Sequence, residues 1–136
     1  PPGETIASED ARLWIMDSRD LREWSAPRPV APGGCRASWS GSARQIDPFL
    51  VEHDGRYWCL YKTEGSLGLL VSEDLVHWNE ASPDRPVLSG AETPDGSTVE
   101  NPCVVVDHGS FVLFFSPCRP GRGRSFSARS KVHCPA

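Results

Sequence analysis

Two carboxylates stand at nearly corresponding places, one residue apart in alignment, before proline-led apolar runs. Asp47 directly precedes Pro48-Phe49-Leu50-Val51, and Glu100 is separated by Asn101 from Pro102-Cys103-Val104-Val105. If both runs are inner strands of neighbouring repeats, the two acids face one centre. A pair of carboxylic acids flanking a sugar is the minimal apparatus for cleaving a glycosidic bond. One donates a proton to the leaving oxygen. The other acts as base or nucleophile, or raises its partner's proton affinity through like-charge repulsion. An acid before proline is also a common turn residue, so spacing alone leaves both readings open.

Trp39, in a Ser- and Gly-rich stretch ahead of Asp47, has the flat apolar face that stacks on a sugar ring, and it serves equally well as a packed loop aromatic. His53 and His108 fall in turn sequences and read as solvated turn residues. His77 reads as structural, and Asp54 and Asp107 as turn acids. No Ser-His-Asp arrangement, phosphate-cradling glycine loop or helical histidine pair is present. The five cysteines lack C-x-x-C spacing, which argues against a structural zinc site; Cys59 and Cys103 lie in apolar runs that suit buried thiols. No cofactor is expected.

The elements that must position these acids repeat. Residues 47–61 align without gaps on residues 101–115, with Pro48 on Pro102, Gly55 on Gly109 and Tyr57 on Phe111, an offset of 54. A second motif shares the offset: Ser18-Arg19-Asp20-Leu21-Arg22-Glu23-Trp24 matches Ser72-Glu73-Asp74-Leu75-Val76-His77-Trp78. A third copy is expected to begin at Ser130-Lys131-Val132-His133-Cys134, two residues short and with Cys134 in the place of the tryptophan.

Each unit reads as strands. Phe49–Glu52 and Tyr57–Tyr61 flank a His53-Asp54-Gly55 turn, a hairpin signature, and a third strand fits Gly68–Val71. In the Ser-x-Asp-Leu-x-x-Trp corner, Ser72 or Asp74 is expected to bond local backbone while Trp78 packs inward. Strand-and-turn units of about fifty residues predict an all-β fold, a partial β-propeller of about two and a half antiparallel blades. The expected divisions are a blade end at 4–30, a full blade at 31–88 and an incomplete blade at 89–134. Closed propellers use about four to eight blades, so open blade edges and self-association through them are expected.

These residues resemble the five-bladed glycoside hydrolases, most closely glycoside hydrolase family 43 and next family 32. The likeness covers about residues 11–118. It rests on Ile46-Asp47-Pro48-Phe49-Leu50 with Asp54-Gly55-Arg56-Tyr57-Trp58-Cys59-Leu60, on Glu100-Asn101-Pro102 with Phe111-Val112-Leu113-Phe114-Phe115-Ser116, and on the Trp corners. Family 32 fits less well, since Ile46 stands before Asp47 and Asn101 follows Glu100. The resemblance implies that Glu100 is the general acid and that Asp47 raises its pKa and orients it. It also implies that the general base belongs to a blade ahead of the first unit, so no residue of this sequence is assigned that role. The partner it implies is a carbohydrate, and a non-catalytic sugar-binding or vestigial propeller fragment is the alternative.

Bulk properties agree with this class. The 136 residues carry 13 prolines and 12 glycines, spread in a way that favours short strands over long helices. A net charge of −4 argues against nucleic acid, and no stretch is apolar for long enough to span a membrane as a helix. The basic cluster Arg119–Arg129, broken by Gly, Pro and Ser, reads as a solvated loop. The first residues carry neither an initiator Met nor a signal pattern, so the compartment is not read from them.

Overall fold

Residues 11–118 and the backbone of 129–132 are described by a computed structural model. Among them the chain is all-β, without an α-helix, in three antiparallel sheets. The first pairs β1 (Trp14–Ile15) with β2 (Arg28–Pro29). The second is a four-stranded meander of β3 (Ile46–His53), β4 (Arg56–Thr63), β5 (Ser66–Ser72) and β6 (Asn79–Glu80). The third orders β7 (Thr98–Asp107), β8 (Ser110–Cys118) and β9 (Arg129–Val132).

Turn chemistry fixes the hairpins. Three of them have a two-residue loop with both residues at positive φ: Asp54-Gly55, Glu64-Gly65 and His108-Gly109. That backbone matches the twist of the flanking strands, and glycine adopts its second position without cost.

The 54-residue offset reappears in the backbone. Leu21 and Leu75, Asp47 and Asn101, and Asp54 and His108 are the same distance apart, and all six hold left-handed φ. The ladders match as well: Ile46 pairs with Lys62 and Phe49 with Leu60, while Glu100 pairs with Ser116 and Cys103 with Phe114. Both first strands therefore bulge over two residues, Asp47-Pro48 and Asn101-Pro102. A bulge frees the proline from donating to the ladder and places the residue before it in left-handed backbone, which Asp and Asn tolerate best among L residues.

The corners also match. Ser18 and Ser72 accept from the amides of Leu21 and Leu75, while Asp20 and Asp74 each accept two further amides. The His77 side chain and these amides hold the Asp74 carboxyl below its usual range.

The third corner does not start where the sequence suggested. Tyr57 pairs with Ser72, and its counterpart Phe111 pairs with Val132, so Val132 rather than Ser130 holds the Ser72 position. Ser130 lies inside β9. Leu60 pairs nine residues onward with Leu69, whereas Phe114 pairs fifteen onward with Arg129, and this longer connection breaks the fixed offset. Cys134, expected in the place of the corner tryptophan, and the basic cluster through Ala128 lie outside the described residues.

Two apolar cores flank the middle sheet. Because side chains alternate along a strand, Cys59, Tyr61 and Leu70 face the first sheet and pack with Leu13, Val30, Cys35 and Ala37. Leu60, Leu67 and Leu69 face the other way and meet Val99, Leu113 and Phe115 of the third sheet. Trp78 packs on the first core, as its corner motif predicts. Tyr61 is fully buried; its hydroxyl contacts Cys35 Sγ at 3.1 Å and donates to Glu80 at 2.7 Å. Burial, before those two contacts, pushes that hydroxyl far above the usual tyrosine range.

Candidate functional site

The site forms where the second and third sheets meet at the starts of their first strands. Lys62 is the end of an inward series, Trp58-Leu60-Lys62, on the face that packs against the third sheet. Its ammonium donates to Glu100 Oε1 at 2.5 Å, and its side chain is only 10% exposed against 29% for Glu100. Thr98 adds a hydroxyl that contacts the same carboxylate oxygen at 3.2 Å and donates to the Cys118 carbonyl at 2.8 Å. Glu100 is therefore held from its own strand and from the neighbouring sheet.

The β4–β5 turn sets the height of this group. Gly65 O accepts from Val99 N at 2.9 Å, and a Cβ on Gly65 would sit 2.7 Å from Thr98 Cγ2. On the far side of the turn, Glu64 accepts from the Gly41 amide at 2.9 Å, tying the Ser-rich loop to the same end of the sheet. Asp47 is half-buried at the bulge of β3, beside the Ile46–Lys62 pair. Asp47 and Glu100 thus stand at the same end of β3 and β7, which are packed together. They are not equivalent: Ile46 holds the Glu100 position, and Asn101 holds that of Asp47. The left-handed bulge alone is sufficient to favour Asp or Asn at position 47.

Trp39 is placed elsewhere. Its ring nitrogen donates to Ser82 O at 2.7 Å, and its indole packs on the core between the first and middle sheets, the opposite face from Lys62. This gives Trp39 a packing role and no contact with the Glu100 group. His53 is also more than a solvated turn residue, because its ring meets Phe111 edge-on with centroids 4.8 Å apart. His108 and His77 are largely exposed and bond to Asp107 and Asp74 at 2.7 Å. No group of three or more His, Cys, Asp or Glu suited to a metal ion occurs among the described residues.

Lys62 is the site residue that sequence reasoning missed. At the end of an apolar strand a lysine ordinarily reads as solvated. The available signal was its parity with Trp58 and Leu60, which places it on the face toward the next repeat. No protein-family model and no curated protein sequence matches the chain.

Proposed function

We propose that the chain forms part of a β-propeller of the glycoside-hydrolase kind, with Glu100 as proton donor and Asp47 as the second carboxylate of a carbohydrate site. The observation that carries this reading is the fixed position of Glu100. Its carboxylate is held by Lys62 from the adjoining sheet, at the strand-start end that also bears Asp47. Sugar hydroxyls are well matched to such groups, since ionised acceptors and donors make the stronger hydrogen bonds. Hydrolysis needs in addition a base or nucleophile on the other face of the sugar, which the family resemblance places on a preceding blade.

A second reading has its own observation. A general acid must carry a proton between turnovers, whereas an ammonium at hydrogen-bond distance favours the charged carboxylate. Lys62 thus supports a site in which Glu100 accepts hydrogen bonds and the sugar is bound without being cleaved.

One experiment separates these readings from each other and from a purely structural role. Calorimetric titration with arabino-, xylo- and fructo-oligosaccharides is paired with hydrolysis assays on the corresponding aryl glycosides and on sucrose. With azide supplied in place of the missing base, oligosaccharide cleavage abolished by Glu100→Gln supports the enzyme, and binding without such cleavage, weakened at least tenfold by Glu100→Gln or Asp47→Asn, supports the binding module. Asp47→Asn retains a residue suited to the bulge, so a loss reports on charge rather than backbone. Absence of both binding and turnover for every sugar overturns the carbohydrate assignment.

A further inference from the structure

We propose that Gln45 holds an internal water that closes the start of β3 on β4, and that this link fixes the bulge carrying Asp47. The water site stands on the fold alone and does not depend on the carbohydrate reading.

Gln45 is 0% exposed, and neither the oxygen nor the nitrogen of its side-chain amide bonds to any group among the described residues. Its counterpart 54 residues on is Val99, also 0% exposed. The two backbones sit alike. Gln45 N donates to Ala11 O at 2.9 Å, and Val99 N donates to Gly65 O at the same distance, Gly65 itself standing 54 residues after Ala11. Val99 packs with Leu67, Leu113 and Phe115, and their counterparts Leu13, Cys59 and Tyr61 belong to the other core. The fold therefore accepts valine at this position, and an amide there calls for a cause. Buried polar groups without a partner are uncommon, because their lost hydration is not regained.

The strand ladder supplies the cause. In the third sheet, Thr98, Val99 and Glu100 pair with Cys118, Pro117 and Ser116 ahead of the bulge, whereas in the middle sheet only Ile46 pairs there, with Lys62. β3 thus begins two residues later than β7 in the repeat, and Gln45 with Thr63, the pair equivalent to Val99 with Pro117, falls outside the ladder. Thr63 is 0% exposed as well. Its hydroxyl contacts Ser40 Oγ at 3.3 Å, while Ser40 donates its own proton to Ser42 O at 2.8 Å. Thr63 therefore donates to Ser40 and keeps lone pairs with which to accept. An amide offers a donor and an acceptor together, so an ion would satisfy one end and oppose the other. Full burial excludes larger ligands. Water fits both conditions: one molecule accepts from Nε2 and donates to Oε1 and to Thr63 Oγ1, about three bonds in all, as buried waters usually make.

The test combines a high-resolution crystal structure of the 136-residue chain with a double-mutant cycle on Gln45→Met and Thr63→Val, both near-isosteric apolar replacements. The wild type is expected to show a water within hydrogen-bond distance of the Gln45 amide and Thr63. In Gln45→Met that water should be lost, and Asp47 should be less well ordered relative to its counterpart Asn101 than in the wild type. Urea unfolding should show the folding equilibrium of Gln45→Met lowered about two- to tenfold, the worth of one net hydrogen bond. The double variant should lose less than the two single variants combined, because both act through the same water. A Gln45 amide bonded directly to protein groups overturns the proposal. So does a Gln45→Met variant more stable than the wild type, the signature of a dry amide whose burial is a net cost. Strict additivity, or an Asp47 as well ordered in Gln45→Met as in the wild type, overturns it as well.

Discussion

Lys62 and Glu100 lie 38 residues apart in sequence and meet only because two sheets pack face to face. Removing one member leaves the other charge partly buried without its partner. Glu100 is close to one-third exposed, so solvent offsets part of the penalty, and the cost of Lys62→Met is expected at about 1–3 kcal/mol. Glu100→Gln should cost a similar amount because it leaves the more deeply buried ammonium unpaired. The double variant Lys62→Met/Glu100→Gln should be less destabilised than the two single losses combined, as for residues in direct contact. Urea unfolding of the four proteins measures this. Strict additivity would mean that the ion pair does not join the two sheets energetically.

At the scale of elements, hairpin turns and corners were legible from sequence because their causes are local. Asp54-Gly55 announces its two-residue turn, and Ser72 and Asp74 bond amides two or three residues away. The positions of Lys62 and Trp39 were not legible, because each depends on which sheet covers which face. The third corner was misplaced since a longer β8–β9 connection cannot be detected by a fixed-offset alignment. Glycines in two of the turns separate local from tertiary effects. Gly55 has φ +71° with nothing within 4 Å of an added Cβ, so Gly55→Ala should cost only the left-handed backbone term, about 1–2 kcal/mol. Gly65 has φ +81° and the Thr98 methyl 2.7 Å from an added Cβ, so Gly65→Ala should cost clearly more. It should also weaken any ligand binding that depends on Glu100, because β7 begins at that contact. Guanidinium unfolding midpoints compare the two variants. Equal losses would show that the Gly65 contact with Thr98 relaxes without cost.

At the scale of the whole molecule, stability is unevenly distributed along the series of sheets. The middle sheet has an apolar core on each face, and its Tyr61 and Leu67 are fully buried, whereas among the described residues each flanking sheet shares a core cluster on one face. In arrays where each unit touches only its neighbours, stability is a sum of unit and interface terms, so units with a single interface open at lower free energy. Native-state hydrogen exchange should therefore rank the amides of β4 and β5 as the slowest, with β1, β2 and the outer residues of β8 faster. Leu67→Ala removes a side chain from one core and Leu70→Ala from the other, each at about 2–5 kcal/mol. Leu67→Ala should accelerate exchange in β7 and β8 more than in β1 and β2, and Leu70→Ala should do the reverse. Uniform protection of all three sheets would contradict this ranking, because it would require the chain to open only as a single cooperative unit.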